Sequence, residues 1–588
     1  MAMGLGAGGR PPPLVSRLRS LGDKITPFKI LSVLVAVFFA FIAIYPLSHV
    51  LFRLFVNDGR LSLAALRAIF MQPDVGVLLL NTCIVIVLTA ICSLILGSVM
   101  AWINERTDAR MGIVTDALPL VPFLVPPIAG AIGWVLLLSD RAGLLNAVFR
   151  GIAGLFGVEM TEGPLNIYTW PGLIFVYTVY SVPYVYLMVS AGLKNVSSTL
   201  EEQSRVCGAG LLRTMRKVTI PAVRPSLGAA VLLLVWFGFA LFSVPAIIGR
   251  GAQIEVLSVR LVRLLTFTYP PDMVRAIGLG MIVILVVGTA WIFQGRILRS
   301  GRHATLGGKG HRVAVIELGA WKWPARMVIL AYIVTAAILP LVGLLVVALN
   351  GFWTPNIRWS QLGFGTFREI LFEDGLTQTA LRNSVSLATL GATLGIAAAA
   401  ILALYVQRAS RTMAKVIDAA VKMPASISTI VLAVGFILAF SGPPFNLNGT
   451  YLMLLLAYLA LYMPQGSVAA DAAAAQVGRE LVEASQISGA SGGRTFRRIS
   501  LPLMVSGLAA GWALLFVRMI GDLTASAILA GTNNPVVGFR ILEVYQSSSF
   551  ATLAALSTVL TALCVVVIVA LLVFSRGHIR RIPALASE

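Results

Sequence analysis

Twelve separate stretches of this 588-residue chain are mainly apolar and long enough to cross a bilayer as helices, a crossing that needs about 20 residues. They lie near 30–52, 76–102, 114–138, 168–193, 226–249 and 274–295. The others lie near 326–350, 383–405, 414–440, 451–473, 503–530 and 551–575. Unbroken apolar runs exclude a transmembrane β-barrel, whose strands alternate apolar and polar residues. A helix satisfies its own backbone in lipid. Only 12% of the residues are charged, half of what a soluble chain carries. A soluble enzyme and a disulfide scaffold are therefore excluded. The expected fold class is an all-α polytopic membrane protein with twelve transmembrane helices.

The connecting loops orient the chain. With the N-terminus inside, the inner segments 1–30, 103–113, 194–224, 296–326, 406–415, 479–498 and 576–588 hold 30 Lys or Arg. The outer segments, of nearly equal total length, hold 13. Basic residues collect on the cytoplasmic side, so both termini are expected there, and the net charge of +21 reads as that bias, not as nucleic-acid binding. The basic leader Arg10, Arg17, Arg19, Lys24 and Lys29 runs into an apolar stretch too long for a cleavable signal. Four cysteines and four histidines are scattered without metal spacing.

The chain repeats itself. Glu202 matches Glu483, Gly208 matches Gly489, Pro221 matches Pro502 and Pro183 matches Pro464, all 281 residues apart. Nearer the start the offset is 302, as in Asn81 with Asn383, Asp116 with Asp418 and Pro122 with Pro424. The first half therefore carries about 21 extra residues, in the outer loop around Arg141–Thr169. Two six-span units are expected, 1–308 and 309–588, joined by a Gly-rich basic linker at 296–323. Six is even, so the units run parallel, related by an axis along the membrane normal.

One pattern recurs between the fourth and fifth spans of each unit. It is Glu202-Gln203-Ser204, Gly208, then Val218-Thr219-Ile220-Pro221, and Glu483-Ala484-Ser485, Gly489, then Ile499-Ser500-Leu501-Pro502. The order is helix, glycine break, second helix. Glycine permits the positive φ that ends a helix tightly, and proline suits the first turn of the next span.

This pattern resembles the EAA loop of membrane permeases in binding-protein-dependent ABC importers, and the two-in-one arrangement is similar to ferric-iron permeases. The resemblance implies a type I ABC importer permease fold. It implies that Glu202, Gly208, Pro221, Glu483, Gly489 and Pro502 form two coupling helices that dock in cytoplasmic ATPases. Two copies of that ATPase, with bound ATP and Mg, are the implied partners, together with a periplasmic or extracellular solute-binding protein. The chain has no G-x-x-x-x-G-K-[ST] phosphate loop of its own. No enzymatic role and no cofactor in this chain are expected, only alternating-access transport in the bacterial inner membrane. The implied cargo is ferric iron, with thiamine, polyamines, phosphonates and sugar phosphates as alternatives. Gln203-Ser204 and Cys207 depart from the family's preferred residues.

Arg518 and Asp522 stand four residues apart in the eleventh apolar run. Intramembrane charges face a cavity or one another, so the pair either lines the translocation pathway or forms a local ion pair. Their first-unit equivalents, Phe237 and Leu241, are apolar. Asp116 and Asp418 are expected to stabilise helix N-termini, and Tyr177, Tyr180, Tyr184 and Tyr186 to pack around a kink at Pro183. The rival architecture is a major-facilitator transporter, whose acidic-basic loop Ile103–Arg110 resembles only weakly.

Overall fold

The computed structural model describes residues 27–57, 60–62, 67, 74–112, 125–194, 196, 198–300, 315–407, 409–490, 492–531 and 533–585. Each of the twelve apolar runs contains helix among its described residues. Among the described residues nine helices are long and apolar enough to span a membrane: Phe28–Phe55, Val75–Arg106, Trp170–Lys194, Leu211–Ala240, Gly319–Asn350, Gly375–Val406, Tyr451–Ala475, Phe496–Ile520 and Phe550–Leu571. The ninth run is a pair, Arg411–Ala425 and Thr429–Phe440, bent by 100°. The sixth run is the helix Met273–Ser300, and of the third the described part is the helix Pro127–Leu138. Asp116, Pro122 and linker residues 301–314 lie outside the described residues.

Leu34, Val37, Phe41 and Phe52 of the first span, and Leu80, Val87, Ile91 and Ile95 of the second, are exposed. In a membrane protein that outer surface meets lipid, so close packing, not hydrophobic contrast, joins the helices. Glycines permit it. A Cβ at Gly391 of the eighth span would stand 2.6 Å from Met519 Sδ of the eleventh. One at Gly97 of the second would stand 2.8 Å from Val185 Cβ of the fourth.

The halves exchange their first spans. The first span packs on the ninth, and the seventh packs on the third. A glycine of each third-type helix, Gly133 or Gly435, lies on a proline of the incoming span, Pro340 or Pro46. The same contact made twice in exchanged roles is what a pseudo-twofold axis demands.

Proline also explains three helical irregularities. Three of the four π-helical turns among the described residues, Met215–Thr219, Val334–Ile338 and Phe496–Ser500, end two residues before a proline, Pro221, Pro340 or Pro502; the fourth, Glu369–Glu373, does not. A proline lacks the N–H that would close the i−4 bond, and the wider turn accommodates the gap.

Asp418 departs from the expectation. Its helix starts at Arg411 with Ser410 as N-cap, so Asp418 stands well past the first turn, where the helix dipole acts. It pairs with Lys422, which also reaches Asp471 at 3.1 Å. The 21-residue excess of the first half contains the helix Leu144–Leu155. Buried Asn146 closes its loop by donating to the carbonyls of Ser139 (2.8 Å) and Leu165 (2.6 Å).

Candidate coupling hairpins and transport cavity

Each hairpin is built as its sequence predicts. In the first, helix Ser198–Val206 ends before Gly208 at φ +81°, and the chain turns into Leu211–Thr214. In the second, Arg479–Ile487 ends before Gly489 at φ +79° and turns into Gly492–Thr495. The second arm is no separate helix. It continues through the π-turn into the fifth or eleventh span, so Leu211–Ala240 is one 30-residue rod. A push on the hairpin therefore acts directly on a membrane-crossing element.

A hydroxyl pair pins each hairpin shut. Ser204 Oγ meets Thr214 Oγ1 at 3.0 Å, and Ser485 Oγ meets Thr495 Oγ1 at 2.9 Å. Both pairs keep the 281-residue offset. Glu202 and Glu483 are exposed, available to a partner. Their neighbour Glu201, overlooked in the sequence, is buried. It forms an ion pair with Arg106 Nε (3.1 Å) and accepts from Thr219 Oγ1 (2.8 Å). Arg106, at the end of the second span, also donates to the carbonyls of Leu193 and Val196 at 2.9 Å. The first hairpin is thus clamped to the bundle. The second has Val482 at the position of Glu201.

The loop that weakly resembled a facilitator signature has another task. Thr107 pairs with Ile316 as an isolated β-bridge. Asp108 accepts from Leu318 N–H at 3.1 Å and from Lys322 Nζ at 3.0 Å. The Leu318 amide, then Lys322, hold its carboxyl below the usual carboxylate range. The start of the second half is tied there to the first.

The fifth and eleventh spans break at matched places. Ile220–Ala240 is followed by Ser243–Gly251, and Leu501–Ile520 by Thr524–Leu529. Tyrosines of the preceding spans, themselves 281 residues apart, hold these breaks. Tyr177 Oη donates to Leu241 O at 3.1 Å, and Tyr458 Oη shares a hydrogen bond with Ser526 Oγ at 2.8 Å. Between the two breaks lies a cavity of about 140 Å³, lined from both halves, with Tyr184, Trp236 and Phe237 facing Tyr462, Arg518 and Asp522.

Arg518 and Asp522 both line this cavity, and each takes a partner of its own. Arg518 donates to the Tyr184 hydroxyl across the interface, with its guanidinium 5.8 Å from that ring's centroid. Asp522 accepts from Tyr462 Oη at 2.8 Å and from the N–H groups of Ala525 and Ser526 at 2.9 and 3.0 Å. Tyr177, Tyr180 and Tyr186 are buried packing residues, whereas Tyr184 is a cavity residue.

The model of the binding-protein-dependent transport system inner membrane component family matches the chain twice, over residues 93–298 and 391–582. The chain belongs to that family. It is the permease subunit of an ABC importer, a multi-pass inner-membrane protein with two permease repeats fused in tandem, and the facilitator reading falls away. Over 547 residues, 90% of this permease and 80% of the relative, it is 23% identical to a putative ferric transport system permease protein of Haemophilus influenzae. It is 22% identical over 562 residues to the ferric transport system permease protein of Actinobacillus pleuropneumoniae, covering 94% of this chain and 78% of that one. A sulfate transport system permease protein of Salmonella typhimurium is 29% identical over 241 residues, covering 40% of this chain and 80% of that one.

Proposed function

We propose that this permease imports ferric iron, driven by two copies of a separate cytoplasmic ATPase and supplied by an external solute-binding protein. The paired hairpins carry the ATPase part of the reading. Each offers an exposed glutamate, a positive-φ glycine and a hydroxyl pin, and each is continuous with a span lining the cavity. Two levers at matched positions suit a paired motor that binds and hydrolyses ATP with Mg. The excess of Lys and Arg in the inner segments supports hairpins and both termini facing the cytoplasm. The units 1–308 and 309–588 then rock about the cavity, exposing Arg518 and Asp522 to alternate sides. Ferric iron is supported by the span of the likeness, since the ferric permeases align over nine-tenths of the chain and the sulfate permease over 40%.

The test is ATP-dependent uptake of radioactive ⁵⁵Fe by proteoliposomes holding the permease, its ATPase and the iron-loaded binding protein. Uptake is expected for the wild type and is expected to vanish in the double variant Glu202→Gln, Glu483→Gln while membrane insertion persists. Full uptake by the double variant overturns the coupling role. Uptake of another solute but not of iron overturns the cargo.

A further inference from the structure

A second, larger cavity lies beyond the break, on the side away from the hairpins. Its volume is about 490 Å³, and Phe242, Arg250, Glu255, Arg263 and Tyr545 are among its walls. It too joins the halves, since Tyr545 Oη donates to Ile247 O at 2.7 Å. The two cavities meet at the broken fifth span. Phe242 lines the larger one, while its neighbours Leu241 and Ser243 line the smaller. Phe242 is among the largest fully buried side chains, so it stands as the partition between them.

The larger chamber is lined by two arginines and one glutamate, the smaller by one arginine and one aspartate. In the larger, Glu255 is held by two arginines, Arg260 at 2.6 Å and Arg263 at 2.9 Å. Arg263 lines the cavity and Arg250 adds a second positive charge, exposed on the wall. In the smaller, the Asp522 carboxylate is already engaged by a tyrosine hydroxyl and two backbone N–H groups, which leaves it poorly placed to receive a cation. The Arg518 guanidinium stands opposite. A guanidinium stays charged and presents donors only. Trp236, in the same wall, has a donor nitrogen, Nε1, without a hydrogen-bond partner among the described residues. The neutral lining residues Ser243, Thr429, Thr524 and Gln465 donate as readily as they accept.

We propose that the cargo crosses this permease as an anion, met first by Arg250 and then by Arg518. This rests on the interface cavity being the transport route. A bare ferric cation would meet a net positive wall in the larger chamber and, in the smaller, a single carboxylate whose oxygens already accept three hydrogen bonds. Iron therefore passes wrapped in an anionic oxygen-donor complex, and the chemistry read by the arginines is the negatively charged oxygen face. A free oxyanion presents the same face.

The experiment is equilibrium binding to the purified full-length permease in lipid nanodiscs. The probes are [¹⁴C]citrate, with and without ferric iron, and [³²P]phosphate. Saturable binding of at least one probe in the millimolar range or tighter is expected. Arg518→Gln weakens it about tenfold or more, Arg518→Lys restores it to within about threefold, and Arg250→Gln, on an exposed side chain, also weakens it. Citrate binding that requires iron identifies the ferric complex. Binding of citrate or phosphate without iron supports the anion proposal and leaves the iron cargo to be decided by the ⁵⁵Fe uptake assay. No saturable binding of any probe overturns the proposal. So does wild-type binding by both Arg518→Gln and Arg250→Gln, or an equal loss in Arg518→Gln and Arg518→Lys, which marks a packing role.

Discussion

Gly133 of the third span lies against Pro340 of the seventh so closely that a Cβ on the glycine would stand 2.6 Å from the proline carbonyl oxygen. The mirrored contact, Gly435 on Pro46, leaves 2.8 Å. These contacts seat each half's first span on the other half. Backbone, not a flexible side chain, blocks the space, so Gly133→Val and Gly435→Val each cost about 1–3 kcal/mol as overpacking. The readout is the midpoint of thermal unfolding in detergent. Gly76→Ala, where a Cβ meets nothing within 4 Å, is the control and should leave the midpoint nearly unchanged.

The adjacent carboxylates Glu201 and Glu202 should separate cleanly. Glu201→Gln leaves Arg106 buried without its counter-charge, which costs about 3–5 kcal/mol. It lowers the unfolding midpoint of the isolated permease. Glu202→Gln alters an exposed side chain and leaves that midpoint alone, while weakening co-purification of the ATPase. Identical behaviour of the two variants would contradict the division of labour.

The hydroxyl pins make a prediction about coupling. Thr214→Val and Thr495→Val keep the side-chain shape and remove one hydrogen bond each, worth about 0.5–1.5 kcal/mol. A looser hairpin transmits less of the motor's stroke. The ratio of solute transported to ATP hydrolysed should fall more in the double variant than in either single one, with ATPase binding retained.

At Gly208 and Gly489 a Cβ meets nothing within 4 Å, so backbone conformation alone is at stake. Alanine at either position costs about 1–2 kcal/mol, whereas asparagine, which tolerates the left-handed region, costs less. The order Gly, Asn, Ala in ATP-dependent uptake checks this. Equal activity of Ala and Asn variants would show that the hairpin does not depend on the positive φ.

Asp108 gives the tie between the halves a pH dependence. Its folded pKa lies below the ordinary value, which is about 4. Its stabilisation is therefore fully present above that range and is lost as pH falls through the depressed folded value. Protease cleavage near residues 315–322 should accelerate on acidification below pH about 4 in the wild type. Asp108→Asn should cleave faster at neutral pH and respond less to acid.

The hairpins were legible because everything that shapes them is local. A glycine at a required positive φ, a proline near the start of a span and a glutamate repeated 281 residues on need no distant partner to be recognised. The apolar runs were legible for the same reason, since a helix closes its own hydrogen bonds. The clamp between Arg106 and Glu201 was not. Its members are 95 residues apart in sequence, and the second half has Val482 where the first has Glu201, so the repeat gave no second copy to read.

The sequence by itself determined the membrane class, the duplication and the two hairpins, because hydrophobic length, offset and turn chemistry are properties of short segments. Only the tertiary structure decided that the first spans change halves, that Tyr184 of the other half receives Arg518, and that the broken fifth span divides two chambers. Those outcomes depend on which helix faces meet, and helix faces are matched by side-chain shape and charge across hundreds of residues, a relation that no local pattern encodes.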